Sequence, residues 1–386
     1  MMRFTISKST LERIMTHAVG VVDRKQTVPI FGYALFNASK EDGTLTITST
    51  NLDITIIDKI KCEVEKSGSR CLPATLLYDI TKKTKNESVI TIAINEFENS
   101  VSVSSGKATF NIHYADANDF PPVAEAEYTV KFQLNSSVFQ KAIDTAKVAM
   151  LQDNTRFHLN GIHMHYENDM GINKLKFVAT DLFRISCVSI VAPSESQNMP
   201  SIIVSKKAVA EILKLVDDSS SDTVDLSVSN SRISCKLRDD CVETEFSSRL
   251  VNGTFPEYKS ALDVSNDKIL QINTEEFIAA IDRVSTVVVD STSSIKLNIH
   301  SDKLILSGIS KELGSAVEEI EATFNAFEPM EICFNSRYLI EILNRIETDA
   351  VKMMLAESDS STIIVPTEAL DQEQQFAIMP IEIVKN

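Results

Sequence analysis

The chain has 386 residues, of which 43% are hydrophobic, and a formal net charge of −16 at pH 7. That length suggests about two to four domains, each able to bury a core. No apolar run approaches the ~18 residues of a membrane span, and the six cysteines form no C-x-x-C pair, so we expect reduced thiols in a cytoplasmic protein. The acidic balance argues against a nucleic-acid partner unless positive charge is concentrated locally.

The segment Phe4–Val22 predicts a short strand followed by an amphipathic helix. Ser7 can cap the helix, because its hydroxyl can accept a hydrogen bond from a backbone N–H of the first turn. Leu11, Ile14 and Ala18 then fall on one apolar face. The polar side of this helix is therefore free to contact solvent or a partner.

The same order of strand end, cap and apolar helical stripe occurs six times along the chain. The strand ends are Ile6, Leu72, Leu134, Val204, Ile272 and Phe334. The cap positions are Ser7, Pro73, Asn135, Ser205, Asn273 and Asn335. Successive copies are 62 to 70 residues apart, which indicates an internal repeat. Grouped in pairs, the copies predict three domains, 1–127, 128–258 and 259–386.

Three alternating or apolar segments follow each helix, so each copy is interpreted as a βαβββ unit. The segments 118–123 and 252–258 contain Pro, Gly and Asn and are interpreted as linkers between domains. The sequence thus predicts an α+β fold of three similar domains, each of two βαβββ units, with helices packed on antiparallel sheets.

Positive charge is concentrated on the repeated helices. The windows 8–25, 74–85, 136–151, 205–216, 274–285 and 335–346 contain 15 Lys or Arg and 9 Asp or Glu residues, a net +6, whereas the rest of the chain carries −22. Because the other helix face is apolar, we expect these charges to point outward. A surface of this kind suits the phosphate backbone of a nucleic acid and needs no base-specific contact.

Eight short motifs, in order over the whole chain, resemble those of the bacterial DNA sliding clamp, the beta subunit of the replicative DNA polymerase. They are Arg3–Ile6, Thr27–Ile30, Asp119–Pro121, Leu159–Gly161, Ala179–Asp181 with Arg184, Phe255–Tyr258, Val351–Leu355 and Met379–Ile381.

The resemblance implies the DNA-clamp fold and a head-to-tail homodimeric ring, with helices lining the hole and sheets outside. Such a ring is a processivity factor that encircles duplex DNA, independent of sequence, and tethers the polymerase. The implied partners are double-stranded DNA, the replicative polymerase catalytic subunit, the clamp loader, repair and mismatch-repair proteins, and a second copy of the chain. It implies neither catalysis nor a cofactor or metal.

Three groups of site residues follow from the resemblance. The basic residues expected to face DNA are Arg24, Lys25, Lys82, Lys141, Lys147, Arg156, Lys206 and Lys207. The expected pocket for partner peptides is lined by Leu159, Thr180, Leu182, Arg184, Ile185, Pro256, Ala261, Asn335, Tyr338, Ser361, Ala377, Met379, Pro380 and Ile381. The expected dimer contact joins Lys107, Phe110 and Ile112 of one copy to Val287, Glu318 and Glu319 of the other.

One departure from the family pattern lies in the pocket loop. The family usually has Gly-His between the Asp and Arg of this loop, where this chain has Leu182 and Phe183. We expect these larger apolar side chains to narrow the pocket or to make it more apolar, and so to alter the preference for partner peptides.

Two other functions are compatible with the residues. His163 and His165 lie on one strand face and could ligate a metal, although no carboxylate or cysteine joins them at a recognisable spacing. The repeats could also form a scaffold that binds only proteins through 159–185 and 375–383. The chain has no G-x-x-x-x-G-K-[ST] loop, so nucleotide hydrolysis is not expected.

Overall fold

The computed structural model describes residues 2–22, 28–95, 100–123, 126–153, 155–288 and 293–382. Its helices lie against antiparallel sheets, as the sequence predicts for an α+β fold. The helices are α1 (Lys8–Val21), α2 (Ala74–Lys83), α3 (Ser136–Ala146), α4 (Lys206–Asp218), α5 (Lys259–Leu262), α6 (Thr274–Ser285) and α7 (Ser336–Leu343).

The strands alternate buried and exposed residues over most of their length, as in sheets with one face on a core. The strands of the first third are β1 (Arg3–Ser7), β2 (Tyr33–Ser39), β3 (Thr44–Thr50), β4 (Ile54–Lys61), β5 (Glu63–Lys66), β6 (Gly68–Pro73), β7 (Val89–Asn95), β8 (Ser100–Ser105), β9 (Ala108–His113) and β10 (Ala115–Asp116). Those of the middle third are β11 (Val130–Asn135), β12 (Gly161–Asp169), β13 (Ile172–Thr180), β14 (Arg184–Val191), β15 (Ile202–Ser205), β16 (Thr223–Val228), β17 (Arg232–Arg238) and β18 (Val242–Arg249). Those of the last third are β19 (Lys268–Asn273), β20 (Ser294–Ile299), β21 (Lys303–Ser310), β22 (Gly314–Phe324), β23 (Met330–Asn335), β24 (Ala350–Leu355), β25 (Thr362–Pro366) and β26 (Glu373–Ile378).

The predicted βαβββ repeat is confirmed. The units are β1-α1-β2-β3-β4, β6-α2-β7-β8-β9, β11-α3-β12-β13-β14, β15-α4-β16-β17-β18, β19-α6-β20-β21-β22 and β23-α7-β24-β25-β26. The strands β5 and β10 and the short helix α5 are additions to this plan.

The predicted caps are confirmed wherever the residue has a suitable side chain. Ser7 accepts a hydrogen bond from the backbone N–H of Thr10 at 3.2 Å. The equivalent Ser or Asn residues cap α3, α4, α6 and α7 in the same way. Pro73 precedes α2 without a side-chain hydrogen bond, because proline has no acceptor in its side chain.

The described chain divides into two compact units. Unit 1 comprises Met1–Gln140 and Pro193–Val251, and unit 2 comprises Lys141–Ala192 and Asn252–Asn386. These units do not coincide with the three segments 1–127, 128–258 and 259–386. The three-domain division remains a prediction from the repeats.

Unit 1 contains a five-stranded sheet in the order β5-β1-β7-β8-β9 and a nine-stranded sheet in the order β10-β6-β2-β3-β4-β18-β17-β16-β11. The second sheet is continuous because β4 pairs with β18, from Ile54 opposite Ser248 to Ile60 opposite Val242. The apolar stripe of α1, including Leu11, is fully buried in the core of this unit.

In unit 2 the strands pair in the order β12-β13-β14-β26-β25-β24-β19-β22-β21-β20-β23. The strands β14 and β26 are paired from Arg184 opposite Ile378 to Ser189 opposite Glu373. The core of this unit includes Phe277 of α6. The beginning of β14 and the end of β26 thus lie side by side, which brings two of the predicted pocket segments together.

Candidate functional site

A cavity of about 190 Å³ lies in unit 2, beside the paired ends of β14 and β26. Its lining is mainly apolar, with a few polar groups from the loop before β14. The lining residues are Thr180, Leu182, Phe183, Arg184, Ile185, Pro256, Glu257, Tyr258, Ala261, Ser361, Ala377 and Met379. This combination is typical of a site that binds a small ligand or an extended peptide.

The loop between β13 and β14 is held rigidly by its own side chains. The hydroxyl of Thr180 donates to the carbonyl of Arg184 at 2.8 Å and accepts from the N–H of Leu182 at 3.0 Å. Asp181 accepts from the N–H groups of Phe183 and Arg184, each at 3.0 Å. With its polar groups satisfied in this way, the loop presents its two apolar side chains to the cavity in a fixed arrangement.

Leu182 and Phe183 are exposed by 49% and 61%, although both are large and apolar. The φ angle of Leu182 is 76°, in the left-handed region that favours glycine. The expectation that these residues narrow the pocket or make it more apolar remains a prediction, but both do line the cavity. Met379, whose N–H donates to the carbonyl of Phe183 at 2.8 Å, also lines the cavity and is 45% exposed.

Arg184 links the loop to helix α7. Its Nε lies 3.0 Å from Asp181 and its Nη1 lies 2.6 Å from Glu341, while the guanidinium stacks over the ring of Tyr338 at 4.1 Å. The arginine is only 6% exposed. Burial also raises the pKa of Tyr338, so its ring remains a neutral surface for the guanidinium.

Most of the predicted pocket residues line this cavity or contact a residue that does. Tyr338 does not line the cavity itself, but its ring contacts the guanidinium of Arg184, which does. Four predicted residues do not line the cavity: Leu159, Asn335, Pro380 and Ile381. Of these, Leu159 is buried, Asn335 caps α7, and the N–H of Ile381 donates to the carbonyl of Cys333. Phe183, which the sequence places in the pocket loop, does line the cavity. Glu257 and Tyr258 also line it and were not predicted to do so, although both belong to the motif Phe255–Tyr258.

The basic residues expected to face DNA have different surroundings. Arg24 and Lys25 lie outside the described residues. Lys82 and Arg156 are exposed, and the ammonium of Lys82 lies 5.7 Å from the ring centre of Tyr78. At the start of α4, Lys207 is exposed and reaches the carbonyl of Val21 at 3.4 Å, whereas its neighbour Lys206 is half-buried.

Lys141 and Lys147 are engaged in ion pairs within unit 2. Lys141 pairs with Glu347 and Lys147 pairs with Asp144, which also accepts from Arg345 at 2.6 Å. These acidic partners cancel part of the positive charge that the sequence windows assign to the helices. Lys8, at the start of α1, is likewise buried and paired with Glu12.

Four of the six residues expected at the dimer contact lie on β9 or β22, Lys107 directly precedes β9, and Val287 follows α6. Phe110 is 40% exposed on β9, near exposed Lys107, whereas Ile112 is buried. In unit 2, Val287 is half-buried, and Glu318 and Glu319 pair with Arg283 and Lys303 of their own unit.

Two further observations on the described residues concern metal binding and membrane spans. Within those ranges, His, Cys, Asp and Glu side chains form no group of three or more that could hold a metal ion. None of the helices there combines the length and apolar character needed to cross a bilayer.

Three family models match successive parts of the chain. Residues 2–124, 133–257 and 259–382 match the N-terminal, central and C-terminal domains of the DNA polymerase III beta subunit. The chain belongs to the DNA polymerase III beta subunit family. The resemblance inferred from the eight motifs is therefore confirmed over almost the whole length.

Individual sliding clamps of this family agree with that assignment. The beta sliding clamp of Caulobacter vibrioides is 30% identical over 99% of this chain and 100% of its own, and that of Pseudomonas putida is 28% identical over the same shares. A sliding clamp structure from Bartonella birtlesii, bound to griselimycin, superposes with a TM-score of 0.92 at 33% identity over 99% of this chain and 100% of its own.

The family defines the activity in general terms. Its members are sliding clamps, processivity factors that encircle DNA and tether a polymerase, and are not known enzymes. This chain is accordingly a clamp that acts with DNA and a DNA polymerase.

Proposed function

We propose that two copies of this chain form a head-to-tail ring around duplex DNA, and that the cavity beside Arg184 receives an apolar segment of the polymerase catalytic subunit. The observation that carries the second part is the cavity itself. Hydrogen bonds from the side chains of Thr180 and Asp181 hold its loop, and yet the loop leaves Leu182 and Phe183 largely exposed. Exposed apolar side chains on a rigid frame favour binding of an extended apolar segment, because little ordering is required.

The same cavity serves partners other than the polymerase in this proposal. The clamp loader and the repair and mismatch-repair proteins would dock there in turn, each by a short apolar segment. The chain would act in the cytoplasm, without a membrane and without catalysis of its own.

Two strand edges support the proposed dimer. Among the residues that the structure describes, β9 is the last strand of its sheet and pairs with β8 alone. The strand β22 pairs with β21 from Gly314 to Glu321 on one side. On its other side, within the described ranges, β22 pairs with β19 through Ala322–Phe324 alone. The first part of β22 thus has one edge available for pairing, and edges of this kind are templates for association with another chain. Because the two edges differ, they suit a head-to-tail interface.

The proposed DNA contact is made to the phosphate backbone, through Lys82, Arg156, Lys206 and Lys207 together with Arg24 and Lys25. A ring retains DNA by topology, so each phosphate contact can be weak and sliding can remain fast. This arrangement lets a chain with a net charge of −16 act on DNA.

A loading experiment tests the ring. The clamp is loaded onto nicked circular DNA by a clamp loader, and the DNA is then cut once. We expect the clamp to be retained on the circle and released from the linear form. A protein-only scaffold would never be retained, and a direct DNA binder would stay on the linear DNA; either result contradicts the proposal.

A ligand experiment tests the pocket. Griselimycin is bound by the Bartonella relative, and we propose that it binds this chain in the cavity. Ala261→Phe fills the cavity and should abolish binding measured by calorimetry. Ala279→Phe, at a half-buried alanine that lines a separate groove near α7, is the matched control. Equal binding by both variants would contradict the assignment of the cavity.

A further inference from the structure

Strand β12 presents three polar side chains on one face, at His163, His165 and Glu167, because alternate residues of a strand point the same way. The segment Phe255–Lys259 lies against this face, and its residues Pro256, Glu257 and Tyr258 line the cavity beside Arg184. The two histidines are the pair that the sequence singles out as possible metal ligands. The structure shows a different set of contacts for them.

Each of the three β12 side chains contacts a residue of that segment. The ring of His163 stacks on Phe255, with centres 4.6 Å apart and planes 13° apart. His165 Nε2 is 2.8 Å from the hydroxyl of Tyr258. Glu167 accepts a hydrogen bond from Lys259 Nζ at 2.6 Å. The segment is therefore held at three successive points along one strand.

The hydrogen-bond partners determine which nitrogen of His165 carries the proton. Its Nδ1 is 3.3 Å from the carbonyl oxygen of Tyr166, and a carbonyl can only accept. The proton is thus on Nδ1, and Nε2 carries the lone pair that accepts from the Tyr258 hydroxyl. Burial raises the pKa of Tyr258, so the phenol keeps the proton that it donates.

We propose that His165, assisted by His163, is a positioning residue that sets the wall of the partner pocket through Tyr258 and Phe255. Tyr258 is only 5% exposed, yet it lines the cavity. Its ring is therefore a fixed part of the wall rather than a mobile rim. The position of the Tyr258 and Phe255 side chains is therefore determined by the histidine pair and not by a metal. This inference rests on the proposed function of the cavity.

Burial favours the neutral form of both histidines. Burial lowers the pKa of His163 to about 4, and His165 beside it acts in the same direction. Burial also lowers the pKa of His165, aided by Lys176 of β13 and Lys259 and opposed by the Tyr166 carbonyl and Glu167. Although burial opposes it, hydrogen bonds from Lys176 and Lys259 hold the pKa of Glu167 down to about 2, so that carboxylate stays charged.

Protonation of His165 would reverse the hydrogen bond, since Nε2 would become a donor and the Tyr258 proton would need another acceptor. Because the pKa is below the usual histidine value of about 6.5, this occurs only under acidic conditions. Partner affinity should be constant from pH 7.5 down to about 6.5 and fall below it.

The test measures griselimycin affinity by calorimetry for single variants of the full chain. His165→Leu and Tyr258→Phe each remove one buried hydrogen bond and should weaken binding about five-fold at pH 7.5. His165→Gln keeps an acceptor for the phenol and should bind as the wild type does, but without the fall in acid. Tyr166→Phe, which loses a hydrogen bond to Asn173 on the opposite face of β12, is the matched control and should change nothing.

A second measurement on the wild type does not depend on the folding of variants. Side-chain ¹⁵N shifts of labelled histidine should show the Nδ1–H form of His165 and should move when griselimycin is added. Wild-type affinity in every variant, or a His165 signal that griselimycin leaves unchanged, overturns the inference. Griselimycin that does not bind, or that still binds Ala261→Phe, overturns the proposed pocket instead.

Discussion

Leu52 and Leu182 adopt the same left-handed backbone conformation, with φ angles of 77° and 76°. Leu52 lies in the loop between β3 and β4, and Leu182 lies in the equivalent loop of another repeat, between β13 and β14. In both loops the leucine N–H donates to the hydroxyl of the threonine two residues before it. The two leucines are also equally exposed, at 48% and 49%. The two repeats thus share the same turn conformation, but of these two loops it is the second that lines the cavity.

This pair provides a matched test of the pocket. Leu182→Gly should reduce griselimycin affinity about five-fold, because about 1 kcal/mol of apolar contact is lost when a half-exposed leucine is removed. Leu52→Gly makes the same change in the other loop and should leave affinity unchanged. Thermal unfolding of both variants should be near the wild type, since relief of the left-handed conformation offsets the added freedom of glycine. Equal losses of affinity would show that the effect is not local to the cavity.

Arg184 should be far more important for stability than an exposed arginine with similar partners. Arg184→Met leaves the nearly buried Asp181 without its cation, and we expect a loss of about 3 kcal/mol in the free energy of unfolding. Arg238→Met is the control, because Arg238 is 59% exposed and pairs with Asp225 and Glu243 at the surface. Its loss should be under about 1 kcal/mol in urea titrations. Similar losses would mean that burial of the Arg184 pair does not matter.

His17 should make the stability of unit 1 depend on pH. The ring is 3% exposed, with Nδ1 3.1 Å from Asp58 and Nε2 3.5 Å from Asp218. Burial disfavours its charge, but the two carboxylates outweigh that and raise the pKa to about 9. Since the folded-state pKa is above the unfolded value of about 6.5, the stabilisation is complete below pH 6.5 and is lost as pH rises to about 9.

The measurement is the urea midpoint of wild type and His17→Gln from pH 6 to 9.5. The wild type should lose on the order of 2–3 kcal/mol more than the variant over this range, because glutamine does not titrate there. Parallel pH profiles for the two proteins would contradict a charged His17 in the folded state.

Ion pairing should decide which cations contribute to DNA binding. Because Lys141 is neutralised by Glu347, the double change Lys141→Met with Glu347→Gln should leave DNA affinity and its salt dependence unchanged. Lys207→Met removes an exposed cation and should reduce the slope of log affinity against log salt by about one. Fluorescence anisotropy with short duplex DNA at several salt concentrations measures both. A larger effect of the double change would place Lys141 on the phosphates.

The β9 edge should control the oligomeric state. Phe110→Glu places a charge on an exposed apolar residue of that edge and should shift the chain to a monomer at micromolar concentration in sedimentation velocity, because a buried interface disfavours an unpaired carboxylate. Phe157→Glu changes a phenylalanine that is more exposed, at 68%, but lies outside the edge. It should sediment as the wild type does; a monomer in both cases would indicate a general loss of structure.

The sequence predicted the repeated parts of the fold because they depend on local patterns. The stripe from Leu11 to Ala18 is buried, and the cap at Ser7 forms as expected. The helical window 136–151 in the sequence is longer than the third helix, which ends at Ala146 and is followed by a 3₁₀ turn at Lys147–Ala149. Apolar periodicity continues through that turn, so the sequence pattern does not mark the end of the helix.

The site was less predictable, because it depends on which side chains meet. The sequence treats Lys141 as a free cation, and only the fold brings Glu347 of a distant segment to it. His165 is similar: its spacing from His163 suggests a metal, whereas its actual partner, Tyr258, lies 93 residues away. A pattern within one strand cannot indicate what the opposite segment contributes.

The pairing of β4 with β18 has a consequence for the order in which this chain can fold. Ile54 and Ile60 find their partners at Ser248 and Val242, and these are synthesised long after β4 has left the ribosome. Until then β4 is paired on one side only, by β3. Its other edge is open to pairing with a second nascent chain or to capture by a chaperone. The slow step in folding should therefore be the pairing of β4 with β18, which closes the long stretch of chain between them, and not the formation of any single repeat.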